Sequence, residues 1–99
     1  MNTVVLERTY ASDAFWTNNL KYSDGSNYKG LIDRYGKRSG YGRHRYPVIG
    51  KNETWMEYYG QWRNDKPNGK GQVKIFHGNL LSKVIYEGDW INGEPANDP

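Results

Sequence analysis

The chain has no cysteine, which excludes a disulfide framework and a thiolate metal site. Whatever holds it together has to come from packing. Leu, Ile and Val are also few, set against nine Tyr and four Trp. No apolar run approaches the roughly 20 residues that span a bilayer. The start, Met1 to Arg8, has one short apolar run, an acid at Glu7 and no early basic residue, so no signal peptide is expected. Catalytic equipment is equally thin. His44 and His77 are the only histidines, carboxylates are scattered, and no nucleophile, base or metal-ligand spacing stands out. Gly30 to Gly36-Lys37-Arg38 falls short of a phosphate loop, because five residues separate the glycines and Arg38 stands where Ser or Thr would hold magnesium. The expectation is no enzyme activity, no metal and no cofactor.

What the chain does have points to a thin, wet structure. Its 99 residues make one small domain with much of its surface exposed. Tyr and Trp combine an apolar body with a polar tip, which suits a layer open to water on one side. Twelve Gly mark turns or close backbone approaches. The net charge of +3 is uneven: Lys29, Arg34, Lys37, Arg38, Arg43, Arg45 and Lys51 crowd the middle, while Glu87, Asp89, Glu94 and Asp98 make the C-terminal end acidic.

An internal repeat organises these residues. Tyr28-Lys29-Gly30-Leu31-Ile32, Tyr58-Tyr59-Gly60-Gln61-Trp62 and Tyr86-Glu87-Gly88-Asp89-Trp90 share Tyr-x-Gly-x-bulky, with Ile in place of Trp in the first. Alternation of Tyr, Gly and Trp puts all three on one face of an extended strand. Turn formers follow, and Gly40-Tyr41-Gly42 and Gly69-Lys70-Gly71 then open a second strand, so each unit reads as a β-hairpin. A bulky ring on one strand needs room over its neighbour, which the paired glycines supply.

These motifs resemble the MORN family, over roughly residues 20 to 95. Asp24-Gly25-Ser26-Asn27 before Tyr28 is similar to the family's linker into a repeat. The resemblance implies an all-β fold: a single-layer, elongated, twisted antiparallel sheet of stacked hairpins, here two full and two partial repeats. It implies residues 1–19 as an N-terminal cap or docking arm, 20–95 as the repeat sheet and 96–99 as a tail. The repeat tyrosines are 30 and 28 residues apart, longer than the family period. The excess lies in Val48 to Glu57 and Gly78 to Val84, as rim insertions or longer strands.

Several candidate sites follow. Tyr28, Tyr46, Tyr58, Trp62, Tyr86 and Trp90 are expected to form an aromatic strip, on which a partner helix or segment would lie. Covering by neighbouring hairpins, which would make the same strip the core, is the alternative. Trp55, Leu80 and Leu81 sit in the stretched connections and are candidate contacts peculiar to this chain. Arg34, Lys37, Arg38, Arg43 and Arg45 make a basic patch, with anionic phospholipid as its candidate partner. Strand parity puts Arg43 and Arg45 opposite His44 and Tyr46, which argues against nucleic acid, where charge and stacking share a surface. The expectation is a non-enzymatic adaptor or structural subunit with a protein partner, cytoplasmic and in reach of cytoskeleton or membrane, with homodimerisation through strand edges open.

Overall fold

The computed structural model describes residues 14–47 and 53–96. They form one open antiparallel sheet in which strand order equals chain order: β1 Phe15–Lys21, β2 Asn27–Ile32, β3 Arg38–Arg45, β4 Thr54–Arg63, β5 Lys66–His77, β6 Leu80–Ile91 and β7 Glu94–Pro95. No helix occurs among the described residues.

Turn chemistry sets the hairpins. Asn64 and Asp65, both at positive φ (49° and 70°), close β4 onto β5, the two-residue turn whose twist matches that of the strands. Asn92-Gly93 does the same between β6 and β7, at 48° and 93°. Between β2 and β3 the Asp33 carboxylate accepts the Tyr35 and Lys37 backbone N–H groups at 2.9 Å.

Register then lines up a row of glycines across five strands. Gly30 faces Gly42, Gly42 faces Gly60, Gly60 faces Gly71, and Gly71 faces Gly88. Side-chain-free backbone therefore crosses the middle of the sheet, and the tyrosine rings of the repeat pack on it.

One expectation changes, and of the two readings of the excess length one is selected. The sheet begins at Phe15 rather than residue 20: Phe15, Trp16 and Thr17 pair with Ile32, Leu31 and Gly30. Phe15 to Asn19 are therefore a strand and not a separate arm. Residues 1–13 of the expected cap and 97–99 of the expected tail lie outside the described residues. The excess length after Gly78 is strand, because β5 and β6 are 12 residues each and pair as far as His77 and Leu80. Part of the other stretch, 48–52, lies outside the described residues, and Thr54 to Glu57 belong to β4.

Candidate functional site

The repeat motif builds a ladder of rings on one face. Tyr28, Trp62, Tyr58, Trp90 and Tyr86 meet edge to face in sequence, with centroids 5.4, 5.0, 5.1 and 5.3 Å apart and planes within about 10° of perpendicular. Such contacts contribute about 1 kcal/mol each beyond burial. Every polar tip is satisfied: the tyrosine hydroxyls donate to the carbonyls of Leu31, Gln61 and Asp89, and the indoles of Trp62 and Trp90 donate to Gly42 and Gly71. Tyr28 and Tyr58 are buried at 0% and 2% exposure, Trp62 and Trp90 at 4% and 9%.

This burial corrects the aromatic strip as a partner surface. Four of its six residues are the core, and only Tyr46 and Tyr86 at its margins are half-buried. The tyrosine rings pack over glycines of the row, and the tryptophans, set nearly perpendicular to them, cover them from the side.

The opposite face carries what remains open, in rows across the strands. One row runs Lys29, Arg43, Tyr59, Gln72, Glu87, each facing the next. Another runs Asn27, Arg45, Glu57, Lys74, Val84. A third joins Trp55, Phe76 and Leu81. Tyr41 and Tyr59 stand half-exposed with centroids 6.5 Å apart, and a trough opens on each side of them. One, about 340 Å³, is lined by Trp16, Lys29, Arg43, Glu57 and Lys74 together with the two tyrosines. The other, about 410 Å³, adds Lys70, Gln72 and Glu87. Trp16 is 53% exposed. Glu57, buried in the first trough, lies 3.7 Å from Arg43 and 3.9 Å from Arg45.

Comparison with known families matches three segments, 34–48, 58–73 and 86–96, to the MORN repeat. The chain carries MORN repeats. Neither a curated protein nor a solved structure matches it. The match to the first MORN unit starts at Arg34, yet Tyr28 occupies the same place in the ladder as Tyr58, so the geometry extends the repeat beyond the matched residues. The MORN repeat is a non-catalytic type associated with protein or membrane interactions. Among the described residues no group of three His, Asp or Glu side chains is placed to hold a metal ion.

The expected basic patch does not form as a unit on this MORN sheet. Arg38, part of it by sequence, turns inward: its guanidinium bonds Asp65 at 2.7 Å and lies 4.4 Å from the Trp62 ring centroid and 4.9 Å from that of Tyr22. Its long stem reaches back under the hairpin, where the rings satisfy its charge. Lys37 and Arg34 stay exposed at the turn, and Arg43 and Arg45 share Glu57 on the open face. Trp55 is structural too, stacked on Phe76 at 4.2 Å, covered by the Arg45 guanidinium at 4.0 Å, and donating its N–H to Gly78. Leu80 and Leu81 are exposed at the end of the long hairpin.

Arg38 also donates to the Nδ1 of buried His44, which leaves Nε2–H to donate to Ser26 and Ser26 to Asp24. Burial, and then the Arg38 charge, push the His44 pKa down to about 4. Above pH 6.5 the imidazole is neutral in both folded and unfolded chains. Between 6.5 and 4 only the unfolded chain takes up the proton, so stability is expected to fall by about 3 kcal/mol across that window. Asp24 and Asp65 are held below the usual carboxylate range, the first by Ser26 and the second by Arg38 against the opposing effect of burial. Their contributions are lost only at still lower pH. Urea midpoints at pH 7 and pH 4.5 test this. His44→Gln, which keeps a donor and an acceptor without titrating, should lose most of the difference.

Proposed function

We propose that this chain is a non-enzymatic adaptor whose contact surface is the open face around Tyr41 and Tyr59. The observation that carries this reading is the contrast between the two faces: the ladder face closes on itself, whereas three large aromatics stay half-exposed beside recessed troughs on the other. Exposed Tyr and Trp with adjacent Arg make the composition of binding hot spots. A protein partner is favoured over an anionic membrane because the cations are divided among the turn, the core and the troughs, and recessed cations meet a flat lipid surface poorly.

Affinity capture from the native source, with quantitative mass spectrometry, tests this. A partner retained by the wild-type chain should drop roughly tenfold or more with Tyr41→Ser plus Tyr59→Ser, as expected of hot-spot residues, while Lys37→Glu at the turn leaves it in place. Equal capture by wild-type and doubly substituted chains would refute the assignment. So would loss with Lys37→Glu alone together with salt-sensitive binding to phosphatidylserine vesicles, which would support the membrane.

A further inference from the structure

No single sign of charge holds across the open face. Lys29 on β2 and Arg43 on β3 are followed by Glu57 on β4, Lys70 and Lys74 on β5, and Glu87 on β6. A polyanion laid across these strands runs against carboxylates on β4 and β6. What does hold across the face is ring surface and hydrogen-bond donation. Trp16, Tyr41 and Tyr59 are each about half-exposed, and Lys29, Arg43, Lys74 and Gln72 line the two troughs beside the tyrosine hydroxyls. Of the two lining carboxylates, Glu57 is buried beside Arg43, which leaves Glu87. The troughs also have a fixed spacing. The Gly42 backbone lines the first and Gly60, Gly71 and Gly88 line the second, and because the glycine row is in register, the middle of the second lies two strand spacings from Gly42, about 9.6 Å.

We infer that this face takes a proline-rich segment of a partner protein in the polyproline II conformation, crossing the Tyr41–Tyr59 ridge with prolines three positions apart in the two troughs. The inference rests on the open face being the contact surface, and adds the chemistry of what it holds. Polyproline II rises about 3.1 Å per residue with three residues per turn, so positions i and i+3 recur on one side every 9.3 Å or roughly so. That is the spacing of the troughs. From Trp16 on β1 to Glu87 on β6 is five strand spacings, about 24 Å, which about eight such residues cover. Hydrogen bonding gives a second match. Proline has no N–H and a polyproline II backbone makes no internal bonds, so the segment presents free carbonyl acceptors and few donors to a rim made chiefly of donors. An ordinary extended segment would bring as many N–H groups as carbonyls. The troughs are also open-sided, and such a site suits a segment already held in its bound shape, which loses little conformational freedom on docking against aromatic rings. No charge on the segment is required.

The test uses the full chain and fluorescently labelled synthetic peptides, read by anisotropy. One peptide repeats Pro-Pro-Leu over about nine residues; a second replaces every Pro with Ala; a third has the first sequence in D-amino acids, which winds the same composition with the opposite hand. An oligothymidine of similar length and phosphatidylserine vesicles complete the set. The L-proline peptide should bind at least roughly tenfold tighter than the alanine and D-proline ones. Tyr41→Ser plus Tyr59→Ser should weaken it by a similar factor, whereas Tyr35→Ser, which removes an exposed ring at the β2–β3 turn, should leave it unchanged. A urea midpoint matching wild type confirms that each variant is folded. Equal binding of the L-proline peptide and either control, tighter binding of oligothymidine or vesicles, or no binding of the L-proline peptide overturns the inference. If partner capture depends on Tyr41 and Tyr59 while these peptides show no preference for proline, the adaptor reading stands and the proline chemistry falls. If capture does not depend on the two tyrosines, the contact surface itself is misplaced and the inference falls with it.

Discussion

Gly42→Ala is expected to lower stability by about 3 kcal/mol or more, enough to unfold much of a domain with so small a core. The sign is opposite to that of an ordinary strand glycine, where alanine reduces the entropy lost on folding. A Cβ at Gly42 would stand 1.9 Å from the Tyr28 hydroxyl oxygen and 2.2 Å from its Cζ. Tyr28 cannot move aside, since it is fully buried and its hydroxyl is bonded to the Leu31 carbonyl. The whole ring must leave, and the end of the ladder leaves with it. Gly88→Ala is the internal comparison. There the Cβ meets the Tyr86 hydroxyl at 2.8 Å, and Tyr86 is only half-buried, so the ring can shift at lower cost. Urea unfolding of the two variants should rank Gly42 well above Gly88, and comparable midpoints would contradict the close packing described for Tyr28.

Trp62→Ala should cost about 3–5 kcal/mol, the range for deleting a buried Trp or Phe. The indole touches Tyr28 and Tyr58 on its two sides, carries the Arg38 guanidinium and donates to the Gly42 carbonyl at 3.1 Å. Trp62→Phe keeps much of the ring and loses the donor, leaving a buried carbonyl short of a partner, for about 1–2 kcal/mol. Circular dichroism melts of the three chains check both values. The outcome also bears on how partner binding is read: loss of a partner on Trp62→Ala would report unfolding, because Trp62 is 4% exposed and does not reach the surface. Tyr41 and Tyr59 are the positions at which binding can be separated from folding.

How far this was legible in the sequence differs from element to element. Tyr-x-Gly-x-Trp with turn formers after it identifies strands and hairpins, because strand parity and turn stereochemistry are local properties. Parity also places Tyr28, Tyr58 and Trp62 on one face. It does not say whether that face is covered, since in a one-layer sheet the answer depends on rings packing over glycines of the neighbouring strand and against rings of the next repeat. β1 carries neither the repeat tyrosine nor its glycine, so nothing local marks Phe15 to Asn19 as sheet. Arg38 looks like a surface cation at a turn; only its reach across to Asp65, 27 positions on, makes it an interior residue. The open face was within reach. The alternation that puts Arg43 and Arg45 opposite His44 also puts Tyr41 with them, and Tyr59, next to the repeat tyrosine Tyr58, must face the other way. Aromatics and cations do share a surface, though not the aromatics of the repeat motif.

Strand order that follows chain order has a mechanical meaning. Each of the six pairings joins neighbours in sequence, so tension applied between Phe15 and Pro95 pulls across the sheet and meets its backbone hydrogen bonds strand by strand. Loaded in this direction the sheet peels from an edge, each hairpin yielding separately, and it behaves as a compliant tether rather than a rigid strut.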